Sequence, residues 1–302
     1  MKRVLITGAT GFIGRHCLPL LVARGYEVHA VSSRRITINE SNTHWHQTDL
    51  LDPSQVTALI TEVQPSHLLH FAWYSVPGQY WTSIENLRWV QGSIGLLHEF
   101  VRHGGQWVVM AGTCAEYDWR YGYCSEAVTP LAPTTLYGIC KHSLQLMLAA
   151  FSKQTGLSAA WGRIFFLFGP HEHPDRLIAY VIRSLLRGEP ARCSHGRQIR
   201  DFLYVQDVAD AFVALLESGV SGPVNIASGR PMALRELIYR IATKFNRDDL
   251  IQLGAVSTSP AEPPLLVADV RRLCNEVGWT PKYDLDTGLE QTIDWWKHES
   301  KE

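Results

Sequence analysis

Several features that mark large protein classes are missing or scarce. The chain has six cysteines in 302 residues (Cys17, Cys114, Cys124, Cys140, Cys193 and Cys274), and no two form a CxxC pair. A disulfide scaffold or a structural zinc site is therefore not expected, and a reducing cytoplasm is the expected setting. Neither charge is in excess: 28 Lys and Arg against 29 Asp and Glu leave a net charge of −1. A nucleic-acid binder needs a basic face or stripe, so that class is set aside. No apolar run reaches the roughly 18 residues of a membrane span. The apolar part of Met1 to Gly8 is too short for a signal peptide and reads as a first buried strand. There is no internal repeat. The histidine pairs His44/His46 and His171/His173 offer two ligands each, too few for a metal centre.

What is present is enough apolar material for a sizeable core, 46% hydrophobic against 19% charged residues, so the chain is not disordered. Short apolar runs alternate with helical patterns through the first half. Strands are expected over 3–7, 26–31, 67–71, 107–110 and 157–164, with helices over about 12–24, 53–63, 84–103 and 135–154. Strand-helix-strand repetition places helices on the faces of a parallel sheet, so the expected fold is α/β, doubly wound. After about residue 164 the rhythm breaks, and 255–264 reads as a loop. The expected organisation is a Rossmann domain over 1–164, rejoined by a segment at about 202–227, and a smaller lobe made mainly of 165–302.

Thr7-Gly8-Ala9-Thr10-Gly11-Phe12-Ile13-Gly14 lies between the first strand and the first helix. Gly8, Gly11 and Gly14 are spaced GxxGxxG. Such glycines allow a tight turn, the approach of a pyrophosphate and close helix–strand packing. The helix start adds free N–H groups for the phosphates, with Thr10, Phe12 and Ile13 in the turn. NAD binders usually carry Asp or Glu about 20 residues on, to grip the ribose 2′-hydroxyl. Here the second strand closes on Ser32-Ser33-Arg34-Arg35. Two hydroxyls and two guanidiniums suit a 2′-phosphate, so NADP(H) is expected over NAD(H). The competing reading is two solvated surface arginines.

Tyr137 and Lys141 stand at i and i+4, on one face of a helix. A free Tyr has a pKa of about 10. A cation beside it favours the phenolate and suits the phenol to acid–base work on a carbonyl or alcohol. Thr113 follows the strand 107–110 at its carboxyl end, where open α/β sheets bind ligands. Its hydroxyl would hold a carbonyl oxygen; otherwise it caps a turn.

Together these features resemble the extended short-chain dehydrogenase/reductase family, in its nucleotide-sugar epimerase/dehydratase/reductase branch, over nearly the whole chain. Asp49-Leu50 resembles the family's adenine-side step, and His70-Phe71-Ala72 the end of its fourth strand beside the cofactor. Thr113 to Tyr117 is similar to the segment carrying the hydroxyl partner, and Pro130, Pro133, Tyr137, Gly138 and Lys141 follow the line of the Tyr-Lys pair. Arg200 to Ala209, Asn225 to Gly229 and Gly278 to Pro281 resemble further family signatures. The resemblance implies a catalytic Thr113, Tyr137 and Lys141, with Lys141 also on the nicotinamide ribose. It implies a substrate diphosphate on Arg200, substrate walls among Trp73, Tyr74, Tyr80 and Trp81, and a homodimer.

The sequence also departs from the branch. Dehydratases carry Asp-Glu directly after the Thr; here Cys114 and Ala115 stand there, with Glu116 one step late. Phe166 replaces a substrate-binding asparagine, and an arginine usual in the late loop is absent near 260–264. The expected activity is NADPH-dependent reduction of a nucleotide-activated keto-sugar, a 4-keto-6-deoxyhexose. The alternatives are an epimerase with tightly held NAD(P), and a non-catalytic NADP sensor.

Overall fold

In the computed structural model, which describes residues 2–36, 42–259 and 262–299, the alternation of the sequence becomes a layered sheet. In chain order the strands are β1 Arg3–Thr7, β2 Glu27–Ser32, β3 Thr43–Gln47, β4 His67–His70, β5 Trp107–Thr113, β6 Tyr123–Cys124, β7 Ser158–Ile164, β8 Phe166–Phe168, β9 Ala191–Arg192, β10 Ile199–Tyr204, β11 Gly222–Ile226, β12 Pro231–Ala233, β13 Ile251–Gln252 and β14 Leu265–Ala268. The helices are α1 Gly14–Ala23, α2 Pro53–Val63, α3 Glu85–Arg102, α4 Leu136–Thr155, α5 Leu177–Leu186, α6 Val205–Ser218, α7 Leu234–Phe245, α8 Arg271–Asn275 and α9 Leu285–Glu299.

Seven strands pair in parallel in the order β11-β7-β5-β4-β1-β2-β3. This is a Rossmann-like, doubly wound sheet. Its order reverses between β1 and β4, which opens a crevice at the carboxyl ends of those strands. The central strands are buried on both faces, as their uninterrupted apolar runs require: Val4, Leu5 and Ile6 of β1 and Val108 and Val109 of β5 are fully inaccessible. The helices start where their caps dictate. Asp52 accepts the N–H groups of Ser54 and Gln55 ahead of α2, with Pro53 in the first turn. Thr135 accepts the Gly138 N–H ahead of α4.

A second, five-stranded sheet runs β12-β10-β14-β6, with β8 pairing β10. Beneath it α5, α7 and α9 enclose another core around Phe168, Tyr204, Leu237 and Trp296. From β10 the chain returns to the large sheet: α6 packs beside α1, and β11 pairs with β7. The Asp201 carboxylate on β10 ties these parts together by accepting the N–H groups of Ser228, Gly229 and Ala268 and the Ser228 hydroxyl. Among the described residues no helix is long and apolar enough to cross a membrane.

β3 was not anticipated. Its sequence, THWHQ, hides the strand because Trp45, packed on the core, is its one apolar residue. As an edge strand it tolerates the histidines. His46 Nε2 lies 3.0 Å from His29 Nδ1 on β2, and His29 and His44 stack at 5.0 Å.

Candidate active site

The turn between β1 and α1 is a cradle that side chains would fill. Gly11 N–H donates to Gly8 O at 2.9 Å, and Gly8 takes φ +66°, which favours glycine. A Cβ on Gly8 would stand 2.9 Å from Ala72 N, one on Gly11 3.0 Å from Gly8 O, and one on Gly14 closer still to Gly8 O. Thr10 and Gly11 face solvent at the start of α1, Phe12 and Ile13 are half-buried, and the free N–H groups of the helix start lie beside them. This backbone fits a dinucleotide pyrophosphate. His70, at the end of β4, fastens the floor: Nδ1 is 2.7 Å from Thr7 Oγ1 and Nε2 is 2.9 Å from Ser93 Oγ. Burial and then Lys141 push its pKa down to about 3, so it stays neutral. Phe71 turns its ring away onto Phe212, and it is the Phe71-Ala72 backbone that approaches Gly8.

At the end of β2, Ser32 is buried and its Oγ accepts the Arg34 N–H, while Ser33, Arg34 and Arg35 are exposed. Asp49 is exposed and accepts the Leu51 N–H; Leu50 is buried and lines a cavity of about 280 Å³ between α2 and α3.

Thr113 ends β5, and Tyr137 and Lys141 lie in the first turns of α4. Gly138 makes this approach feasible, since a Cβ there would meet Ala115 O at 2.5 Å. Burial pushes the Tyr137 phenol up, and the neighbouring Thr113 side chain acts in the opposite direction. Lys141 Nζ donates to Ala111 O at 2.8 Å and lies 3.8 Å from the centre of the Trp73 ring. These contacts of the ammonium join the end of β5 to Trp73, a link that the i,i+4 spacing did not indicate. Burial lowers Lys141 to about 7, opposed by Glu116. Trp73 is itself fixed by donating from Nε1 to Asn86 Oδ1 at 2.8 Å.

Glu116 faces the interior. Its Oε1 accepts the Thr113 N–H and Trp161 Nε1–H, each at 2.9 Å, and its Oε2 accepts Arg163 Nε–H at 2.7 Å. Both members of that ion pair are buried, with side chains 0% and 1% exposed. Arg163 goes on to Tyr117 OH, which donates to Asn225 Oδ1. Glu116 thus holds the backbone of Thr113 from behind. Cys114, next to Thr113, is buried, and burial keeps its thiol protonated.

On the substrate side, Arg200 of β10 lies 5.4 Å from the centre of the Phe166 ring, so the two residues expected there are neighbours. Tyr80 packs edge-on against Tyr137 at 4.9 Å, and Trp81 packs edge-on at 5.7 Å. Arg176 reaches this wall, 5.6 Å from the centre of Tyr80. Glu172 belongs to the same loop. It is 7% exposed, and among the described residues its Oε2 has no hydrogen-bond partner. Burial raises it to about 8, with Arg176 pulling the other way. Sequence reasoning passed over Arg176 as a site residue and Glu172 altogether, because no local pattern marks either.

Residues 4–227 match the sequence model of the NAD dependent epimerase/dehydratase family. The chain belongs to this family. Among curated relatives of the epimerase/dehydratase family, UDP-glucuronic acid decarboxylase 1 of Xenopus tropicalis is 29% identical over 99% of this chain and 73% of its own length. The solved structure of MoeE5 in complex with UDP-glucuronic acid and NAD is 30% identical, covers 98% of this chain and 99% of MoeE5, and superposes with a TM-score of 0.86. UDP-N-acetylglucosamine 4-epimerase from Methanobrevibacter ruminantium M1 is 25% identical, with 99% of each chain covered and a TM-score of 0.87.

Proposed function

We propose that this member of the epimerase/dehydratase family is an NADPH-dependent reductase of a nucleotide-activated 4-keto-sugar, with a 4-keto-6-deoxyhexose as substrate. One observation carries the reading. The Thr113 and Tyr137 side chains meet at the carboxyl end of β5, while Cys114 and Ala115 offer no carboxylate and Glu116 is spent on Arg163. Hydroxyl and phenol suffice for a carbonyl reduction; a dehydration needs a further acid and base near the sugar.

In this reading Gly8, Thr10, Gly11, Phe12, Ile13 and Gly14 hold the pyrophosphate of the dinucleotide. The exposed Arg34 and Arg35, with Ser32 and Ser33, hold the 2′-phosphate. The nicotinamide, when bound, supplies the hydride. Thr113 donates to the sugar carbonyl oxygen, and Tyr137 gives that oxygen its proton. Tyr137 suits the task because burial keeps the phenol protonated until charge develops on the substrate. Lys141 leaves Ala111 O to hold the nicotinamide ribose. Trp73, Phe166 and Arg200 line the sugar nucleotide. Exposed Ile84, Leu87, Ile139, Leu146 and Met147 on or beside α3 and α4 support a homodimer through those helices.

The second reading, an epimerase that retains its cofactor, is favoured by the likeness to the Methanobrevibacter enzyme. The test is to supply dTDP- and UDP-4-keto-6-deoxyglucose with NADPH and follow absorbance at 340 nm. Stoichiometric NADPH consumption supports the reductase; a changed sugar without consumption supports the epimerase.

A further inference from the structure

We propose that Arg200 and Gln198 form a cradle for two oxygens of a substrate phosphate, and that the Glu262 carboxylate sits in this cradle until the phosphate displaces it. The inference rests on the nucleotide-sugar reading above. It adds a second donor, Gln198, and an internal competitor, Glu262.

The geometry is that of a two-pronged anion site. Gln198 immediately precedes β10 and Arg200 is its second residue, a spacing of two that sends both side chains to one side of the chain. They converge on one carboxylate, with a donor for each oxygen. Arg200 Nη2 donates to Glu262 Oε1 at 2.8 Å, and Gln198 Nε2 donates to Glu262 Oε2 at 3.2 Å. Paired parallel donors of this kind serve carboxylate and phosphate alike.

The two sides of the contact differ in freedom. Arg200 and Gln198 are each 3% exposed. Arg200 is further pinned by its bond to Ile199 O and by the Phe166 ring. The Glu262 side chain is 34% exposed and comes from the loop between β13 and β14. The carboxylate is therefore the partner able to leave, whereas the donors are built in. Among the described residues, buried Gln198 Oε1 has no hydrogen-bond partner, and the hydrogen bonds of this amide run through Nε2.

Position ties the cradle to the chemistry. The Phe166 ring that Arg200 faces packs into the same apolar cluster as Cys114, the residue after Thr113. A sugar diphosphate held at Arg200 would then stand near the end of β5 that carries Thr113. A buried guanidinium needs an anion at all times. Glu262 supplies one charge, and a diphosphate supplies more, so the exchange runs toward the ligand at the cost of some affinity.

The experiment is calorimetric titration of the full-length protein with UDP, dTDP, GDP, CDP and inorganic pyrophosphate, for wild type, Glu262→Ala, and the double variants Glu262→Ala/Gln198→Ala and Glu262→Ala/Arg200→Ala. At least one of these ligands should bind Glu262→Ala about tenfold more tightly than wild type. The gain should shrink several-fold with Gln198→Ala and vanish with Arg200→Ala. A gain in affinity cannot come from a variant that fails to fold. Equal or weaker binding by Glu262→Ala, where wild type binds, would overturn the inference alone and make Glu262 a fixed part of the site. A gain that survives Gln198→Ala would remove Gln198 from the cradle. If no variant and no wild-type protein binds any of the five, the nucleotide-sugar reading falls as well.

Discussion

Glu116→Gln should cost about 3–5 kcal/mol of stability, because it breaks a buried ion pair by removing one partner. The carboxylate accepts three hydrogen bonds, from Thr113 N, Trp161 Nε1 and Arg163 Nε. An amide keeps one oxygen for this work and turns an N–H₂ group toward a donor. Arg163, 1% exposed, would be left without its counter-charge. At about 2.1 cal/mol/K of unfolding entropy per residue, a loss of about 4 kcal/mol lowers the melting temperature by about 6 °C in a chain of 302 residues. Scanning calorimetry with urea unfolding measures both quantities. The double variant Glu116→Gln/Arg163→Met should recover part of the loss, since removing both partners leaves no buried charge unpaired. The proposed reductase activity should fall beyond what stability explains, because the Thr113 backbone loses its support. A melting temperature within about 1 °C of wild type would refute the reasoning.

Other outcomes follow from the same structure. Tyr137→Phe should lower kcat by about 10² or more, the range for loss of general acid catalysis, with NADPH binding nearly unchanged; near wild-type turnover would remove Tyr137 as the proton donor. Replacing Arg34 and Arg35 by Ala should erase an NADPH-over-NADH preference of about 10- to 100-fold, from charge-assisted bonds of roughly 1.5–3 kcal/mol each; equal wild-type affinities by fluorescence titration would make the two arginines surface charges only. Glu172 keeps its proton in the folded state up to about pH 8, whereas a free Glu loses it near pH 4. The stability from this buried neutral acid is present below about pH 4 and is lost as pH rises toward 8. Wild type should therefore lose melting temperature relative to Glu172→Gln between pH 5 and 8, and parallel curves would contradict the buried acid.

The parts of the site legible in the sequence are those fixed by local geometry. Gly8, Gly11 and Gly14 had to be glycines because neighbouring backbone leaves no space for a Cβ. Tyr137 and Lys141 share a helix face by their spacing alone. What was hidden depends on contacts between distant segments. Lys141 finds Ala111 O and Trp73 across the sheet end, which i,i+4 spacing cannot reveal. Glu116, one position later than a dehydratase carboxylate, is explained only by Arg163, 47 residues on. Arg200 meets Glu262 62 residues away. β3 escaped because one apolar residue, Trp45, is too little to show the alternation of an edge strand.

The most direct test of the central claim is the fate of the hydride. NADPH carrying deuterium at both C4 positions of the nicotinamide should give product sugar with one deuterium at C4 for each NADPH oxidised, and NADP⁺ should be released at every turnover. Product that forms without deuterium from added NADPH, and without NADP⁺ release, would contradict the reductase reading and establish an enzyme that returns the hydride it removes.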